Sequence, residues 1–205
     1  MSEASVPGRS ECVDLGLFEG EARLWPAAFT AREATALFDA LRCGVNWRQE
    51  QILILGQRRL VPRLVAWHGD AGAHYHYSGT DHEPQPWLPP LALIRERVTT
   101  LTGAPFNAVL LNLYRDGRDG MGWHADDEPE LGRNPVIASV SLGTERRFCL
   151  RHRRRRDLKL DLPLPHGSLF CMGGATQHHW VHALPKTQRP VGERINLTFR
   201  SVQVR

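Results

Sequence analysis

His124-Ala125-Asp126 and, 56 residues beyond Asp126, His182 constrain this chain more than any other feature. The first pair sits within residues 122–127, after an apolar, strand-like run over 107–114, and the last lies in Trp180-Val181-His182. Two imidazoles and one carboxylate, with one ligand brought from a distant strand, grip Fe(II) on one face and leave positions open for a co-substrate and O2. A His-x-Asp pair alone is weak, because ten histidines in 205 residues will often place one there. It is strengthened by Arg194-Ile195-Asn196-Leu197-Thr198-Phe199-Arg200, which begins twelve residues past His182. Strand side chains alternate, so two arginines six apart share a face. Such a pair asks for an anion, and 2-oxoglutarate is a dicarboxylate.

Asn112-Leu113-Tyr114, His124-x-Asp126-Asp127-Glu128, Ile137–Gly143, His166-Gly167-Ser168, Trp180-x-His182 and the Arg194–Arg200 run follow one another at characteristic spacings. In order and spacing they resemble the AlkB family, the Fe(II)/2-oxoglutarate nucleic-acid demethylases, over residues 50–203, and most closely the branch acting on double-stranded DNA. The resemblance implies an α+β, mainly β fold: a double-stranded β-helix (jelly-roll) core with an N-terminal helical and β nucleotide-recognition lid. It implies that His124, Asp126 and His182 bind Fe(II), and that Arg194 meets the far carboxylate of 2-oxoglutarate in a two-point fork that lysine could not reproduce. Asn112, Tyr114 and Arg200 match residues lining the same pocket. Asn196 and Thr198 support it, although Asn196 could equally be a local turn or ladder residue. Trp180 and Phe199 read as packing, and His178 and His179 as solvent-facing or supporting groups.

The substrate side follows from the same resemblance. Tyr75-His76-Tyr77 matches the aromatic motif of the lid, with Tyr77 stacking on an extruded base and the neighbourhood of His124 as the other wall; as an alternative, both tyrosines cover a core. Ile54-Leu55-Gly56 corresponds to a finger loop that wedges into a duplex. Extracting a paired base costs a few kcal/mol, and an apolar plug such as Leu55 can fill the vacated space. Leucine here replaces the family's aromatic. An ordinary buried strand is the other reading, especially for Ile52 and Leu53. Asp127 and Glu128 place carboxylates beside the metal, where they would attract the positive charge of N1-methyladenine or N3-methylcytosine; Asp127 could instead bond its own loop or a neighbouring arginine.

Composition fits one compact domain: 205 residues, 41% hydrophobic. No apolar run approaches a membrane span, and residues 1–10 lack the apolar segment of a signal peptide. Cys12, Cys43, Cys149 and Cys171 show no close metal-type pairing, so free thiols in a reducing compartment are expected. That means the cytoplasm, or the nucleus in a eukaryote. The formal charge of +4 is less telling than its distribution. Residues 151–156, Arg-His-Arg-Arg-Arg-Arg, should form a loop between two strands. Arg153, Arg154, Arg155 and Arg156 could contact DNA phosphates with counterion release, form a solvated turn, or serve as a nuclear-localisation patch.

Along the chain, residues 1–25 read as a loose or short-stranded extension, 26–105 as helices and the lid, and 106–205 as the dioxygenase core, with lid and core one unit. Residues 29–42 carry Ala34, Leu37, Phe38 and Leu41 at helical spacing, with Thr30 a candidate N-cap. A β-rich stretch follows over 51–55, 60–65 and 75–79. Residues 84–90, with four prolines, read as a rigid connector before a second helical pattern at 91–101. From Phe106 onward, short strands alternate with turns. A monomer acting on alkylated DNA, single or double stranded, is expected, with RNA possible as substrate. The other classes are a hydroxylase acting on RNA, protein or a small molecule, and a binder that has lost catalysis; the intact triad and both arginines argue against the last.

Overall fold

The computed structural model describes residues 11–54, 56–73, 75–77 and 80–203, with the backbone alone at 52–54, 75–77 and 80–82. Leu55 and the first ten residues of the expected N-terminal extension lie outside the described residues. In chain order the elements are β1 (Val13–Asp14), β2 (Glu21–Trp25), α1 (Ala31–Gly44), β3 (Gln51–Ile54), β4 (Gln57–Leu60), β5 (Leu64–Gly69), β6 (Tyr75–Tyr77), β7 (Thr80–His82), α2 (Pro89–Thr102), β8 (Ala108–Tyr114), β9 (Met121–His124), β10 (Ile137–Gly143), β11 (Arg146–His152), β12 (Lys159–Leu164), β13 (Ser168–Gly173), α3 (Thr176–His179), β14 (Trp180–Leu184) and β15 (Arg194–Arg200).

A seven-stranded sheet runs β1-β2-β13-β10-β15-β8-β5, and a four-stranded sheet runs β12-β11-β14-β9. Every described pairing within them is antiparallel. Two hairpins, β3–β4 and β6–β7, stand outside both sheets. This is a jelly-roll oxygenase fold, as the sequence implies.

Strand alternation divides the large sheet into two faces. On β15, Ile195, Leu197 and Phe199 join Val109, Leu111 and Leu113 of β8 and Ala138, Val140 and Leu142 of β10 in one core, packed against Leu37 and Leu41 of α1 and Leu91, Ile94 and Val98 of α2. A second core lies between the sheets, where Ile137, Phe170 and Met172 meet Leu150, Leu162, Leu164 and Trp180. Fully burying one such aliphatic side chain is worth about 1.5–3 kcal/mol, so both faces of the large sheet are anchored. The polar residues that alternate with the first core are left facing the gap between the sheets.

The first helix starts where the sequence places it, and the second starts two residues earlier. Thr30 caps α1 in a capping box, its hydroxyl accepting from Glu33 N while the Glu33 carboxylate accepts from Thr30 N. Pro89 and Pro90 open α2 at positions that need no N–H donor, so the connector ends two residues earlier than residues 84–90 suggest. Other boundaries differ. The run 60–65 is split between β4 and β5, because the segment turns at Pro62, which cannot donate to a ladder. The divisions at 25/26 and 105/106 do not separate structural layers: β2 pairs with β13, and β5 pairs with β8, inside the large sheet. Residues 151–156 are not wholly a loop either, since Arg151 and His152 complete β11. His152 is buried there by contact with Trp180 and His179.

Candidate metal centre and anion pocket

His182 and His124 are register partners on adjacent strands β14 and β9, so the fold brings together ligands far apart in sequence. Their rings lie 4.2 Å apart, centroid to centroid, and ligand atoms of His124, Asp126 and His182 all fall within 4.8 Å of one another. His182 Nε2 is 3.7 Å from Asp126 Oδ2. His124 Nδ1 is 2.9 Å from the Gly122 carbonyl, which accepts a hydrogen bond from the Nδ1–H and leaves Nε2 to face the other ligands. Burial, followed by the neighbouring His124, pushes His182 down to about 3, so its ring is a neutral imidazole. Burial alone would raise the Asp126 carboxyl, but Arg200, His182 and His124 outweigh it and hold it well below the usual carboxylate range. The donors are thus two imidazoles and a carboxylate, the set that suits Fe(II) with open positions.

The supporting contacts are specific. Arg200 Nη2 donates to Asp126 Oδ1 at 2.6 Å, and Asp126 N donates to Gln177 Oε1 at 3.0 Å. Phe148 leans on His182 at 5.3 Å between ring centroids. Gln177 and Phe148 carried no signal in the sequence.

The anion pocket opens from the same centre. A cavity between the sheets is lined by the triad and by Asn112, Tyr114, Ser139, Arg194, Asn196, Thr198 and Arg200, among others. Four of these are alternate residues of one strand, β15. Arg194 is 1% exposed, and its Nη2 donates to Ser141 Oγ and Asn196 Oδ1, each at 2.9 Å. Asn196 Oδ1 also accepts from Ser139 Oγ at 2.9 Å, while its Nδ2 donates to Thr198 Oγ1 at 2.8 Å. Asn112 is oriented by Arg63, whose Nε donates to its Oδ1 at 2.7 Å. Tyr114 presents its ring 5.5 Å below the Arg194 guanidinium. Ser139 and Ser141 were not singled out from the sequence, although polar residues at period two in the apolar run Ile137–Gly143 mark a strand with one polar-lined face.

Arg194 has no carboxylate partner among the described residues, and its Nε has no hydrogen-bond acceptor. Burial lowers it to about 10, still protonated at neutral pH. A buried guanidinium without a counter-charge is costly, and an anion aimed at that edge removes the cost. The residues therefore fit both Fe(II) and a dicarboxylate co-substrate. The two inward arginines are not equivalent: Arg200 is engaged with the metal-ligating carboxylate, and Arg194 pairs with no carboxylate among the described residues.

The substrate candidates are more dispersed. Tyr75 and Tyr77 lie in β6, paired with His82 and Thr80 of β7. Asp127 is exposed and ion-paired with Arg153 at 2.8 Å, the arrangement with a neighbouring arginine that its sequence left open. Glu128 begins a short 3-10 turn and buries its Oε2. Neither lines the cavity. Arg153 also donates to the Gln177 carbonyl, and Arg155 pairs with Asp157 at 2.8 Å. Among the described residues Arg154 and Arg156 have no ion-pair partner. His178 bonds the Arg133 carbonyl and Asn134, outside the metal set, as expected.

A second cluster, Glu19, His152 and His179, has metal-ligand proximity. Its protons argue against a metal. Arg154 N and Arg155 N donate to His152 Nδ1 at 3.2 and 2.9 Å, so the neutral ring carries its proton on Nε2, which donates to Glu19 Oε2 at 3.0 Å. The cluster is a hydrogen-bonded clamp on the start of the arginine turn.

With that geometry established, similarity to known proteins is consistent along the chain. The sequence profile of the 2OG-Fe(II) oxygenase superfamily matches residues 21–200. The human protein named DNA oxidative demethylase ALKBH2 is 41% identical over 184 residues, 85% of this chain and 70% of that protein. Its mouse counterpart is 41% identical over 194 residues, 90% of this chain and 81% of that protein. Bovine alpha-ketoglutarate-dependent dioxygenase alkB homolog 3 is 39% identical over 188 residues, 87% of this chain and 65% of that protein. The solved structure of OsALKBH1 superposes with a TM-score of 0.66 at 14% identity, covering 92% of this chain and 100% of that one, a likeness of fold. The chain is an Fe(II)- and 2-oxoglutarate-dependent dioxygenase that uses O2, and it belongs to the AlkB family within the 2OG-Fe(II) oxygenase superfamily.

Proposed function

We propose that this enzyme oxidatively demethylates N-alkylated bases in DNA, with N1-methyladenine and N3-methylcytosine as substrates. The observation that carries the reading is the single cavity joining the His124–Asp126–His182 triad to Arg194; relatives named DNA oxidative demethylase, at about 40% identity, direct it to DNA. When bound, Fe(II), 2-oxoglutarate and O2 supply the oxidising chemistry: one oxygen atom enters the methyl C–H bond, the other enters succinate as CO2 leaves, and the hydroxymethyl product releases formaldehyde.

The protein's own part is placement. His124, Asp126 and His182 would hold Fe(II), and Arg200 holds the Asp126 carboxylate in position. Arg194 grips the far carboxylate of the co-substrate, with Ser141 and Asn196 fixing its guanidinium and Asn112 and Tyr114 flanking it. Phe148, Met172 and Leu184 give the cavity apolar walls that limit water. Tyr77 stacks on the extruded base with Tyr75 lining the same cleft, Leu55 fills the space the base leaves, and Asp127 and Glu128 favour its positive charge. The Asp127–Arg153 ion pair must open for Asp127 to do so. The enzyme acts as a monomer, on single- or double-stranded DNA, and RNA is a further substrate to be tested. A cytoplasmic site, or a nuclear one in a eukaryote, accords with its free thiols.

The test is mass spectrometry of single- and double-stranded oligonucleotides bearing either lesion, incubated with Fe(II) and 2-oxoglutarate. Loss of the methyl group with equimolar succinate is the expected result. Unchanged lesions beside 2-oxoglutarate turnover on another substrate would overturn the reading.

A further inference from the structure

We infer that Trp123, with Arg151 laid against it, is a stacking platform for an unpaired base flanking the lesion in single-stranded DNA. This rests on the nucleic-acid reading above and names a subsite for it. Trp123 immediately precedes His124 on β9. His124 turns into the cavity, so its neighbour turns the opposite way, and the indole is 44% exposed. Among the described residues, it is the one large exposed hydrophobic carried by a strand that also bears a metal ligand.

Arg151 reaches it from β11 across the intervening β14, placing its guanidinium carbon 4.1 Å from the indole centroid. No carboxylate pairs with Arg151 among the described residues, and its own register partner on β12 is the exposed Lys159. The turn that follows carries Arg154 and Arg156, also without ion-pair partners among the described residues. A flat aromatic surface rimmed by uncompensated cations is complementary to a base attached to a phosphate backbone. Bases of any identity stack on indole and guanidinium faces, which suits recognition of a strand rather than of a sequence.

The geometry also selects between strand states. In a duplex each base is already stacked on both sides, and moving one onto Trp123 would sacrifice an existing contact. In a single strand the neighbours of the lesion have free faces. Trp123 should therefore contribute to single-strand binding and little to duplex binding.

The experiment measures binding without turnover, by anisotropy, for the protein loaded with Fe(II) and 2-oxoglutarate under anaerobic conditions. Three labelled probes each carry one central N1-methyladenine: a single strand, the same strand with abasic sites flanking the lesion, and the duplex. Trp123→Ala should weaken single-strand binding about tenfold, the scale of one base–aromatic stack, and leave duplex binding within about twofold. Abasic flanks should weaken the wild type by a similar factor and add nothing in Trp123→Ala, while Trp123→Phe retains part of the affinity. Equal losses on strand and duplex, no loss at all, or full additivity of the variant and the abasic flanks would overturn the platform. Wild-type protein that binds none of the three probes would instead overturn the nucleic-acid reading, and the platform with it.

Discussion

Arg200 and Asp126 form an ion pair at 2.6 Å in which each side chain is 3% exposed, and the carboxylate concerned is also a metal ligand. Position 200 therefore acts on the metal through its ligand. Removing one member of a buried pair strands the other charge, at about 3–5 kcal/mol. Arg200→Met should lower the stability of the metal-free protein by that amount in urea unfolding and weaken Fe(II) binding as well. Asp126→Asn with Arg200→Met should cost less than the sum of the two single changes, because neither charge is then left alone. Strict additivity would mean that the pair is not coupled.

The complementary expectation concerns Arg194. Arg194→Lys preserves charge but loses the planar fork and its bonds to Ser141 and Asn196. Apparent affinity for 2-oxoglutarate should fall tenfold or more, in line with about 1.5–3 kcal/mol for a charge-assisted hydrogen bond. Fe(II) affinity should stay close to wild type, since Arg194 does not bond the triad. An unaltered 2-oxoglutarate dependence in steady-state succinate formation would place the dicarboxylate elsewhere.

Ligand removal tests the triad itself. Alanine at His124, Asp126 or His182 should abolish succinate formation while leaving a folded domain by circular dichroism. Activity retained with unchanged metal content would exclude that residue from the metal set.

The four cysteines divide by burial. Cys12 and Cys43 are exposed, whereas Cys149 and Cys171 are 6% and 2% exposed. Burial, with Asp161 beside Cys149, pushes both buried thiols up to about 11, so neither offers a thiolate at neutral pH. A thiol reagent at pH 8 should titrate two cysteines quickly in the native protein and all four in denaturant. Rapid reaction of all four would contradict the packing of β11 and β13.

The legibility of this site in sequence follows from periodicity. Arg194, Asn196, Thr198 and Arg200 share a face because strands alternate, and the same rule places Ile195, Leu197 and Phe199 in the core against the helices. Alternation says which face a residue occupies and nothing about its partner there. Arg200 thus reads as a pocket arginine until its bond to Asp126, 74 residues away, is seen. Asp127 and Arg153, 26 residues apart, pair by the same kind of long-range encounter. His152 looks solvated within a run of arginines, yet strand β11 carries it into the interior, where Glu19 and two backbone N–H groups satisfy it. Short strands such as β2 carry too few residues to reveal a period, and their place in the large sheet comes from pairing alone.

The arginine turn and the finger loop make separable predictions. If Leu55 fills the gap left by an extruded base, Leu55→Ala should slow demethylation of paired lesions far more than unpaired ones, because an unpaired base leaves no hole in a stack. If the arginines meet backbone phosphates they carry no base information, so neutralising them should weaken binding to any sequence and flatten the dependence on salt. The ion pairs refine that expectation. Arg153 and Arg155 already have Asp127 and Asp157 as partners, so releasing either to a phosphate first breaks a surface pair worth about 0.2–1 kcal/mol. Arg154 and Arg156 carry no such cost, and each one that meets a phosphate should account for about 0.9 of the slope of log K against log salt. Arg154→Ala with Arg156→Ala should then reduce the slope by nearly 2, and Arg153→Ala with Arg155→Ala by less. A slope reduced equally by both pairs would mean that the ion pairs break on binding; a slope moved by neither would make the turn a solvated loop.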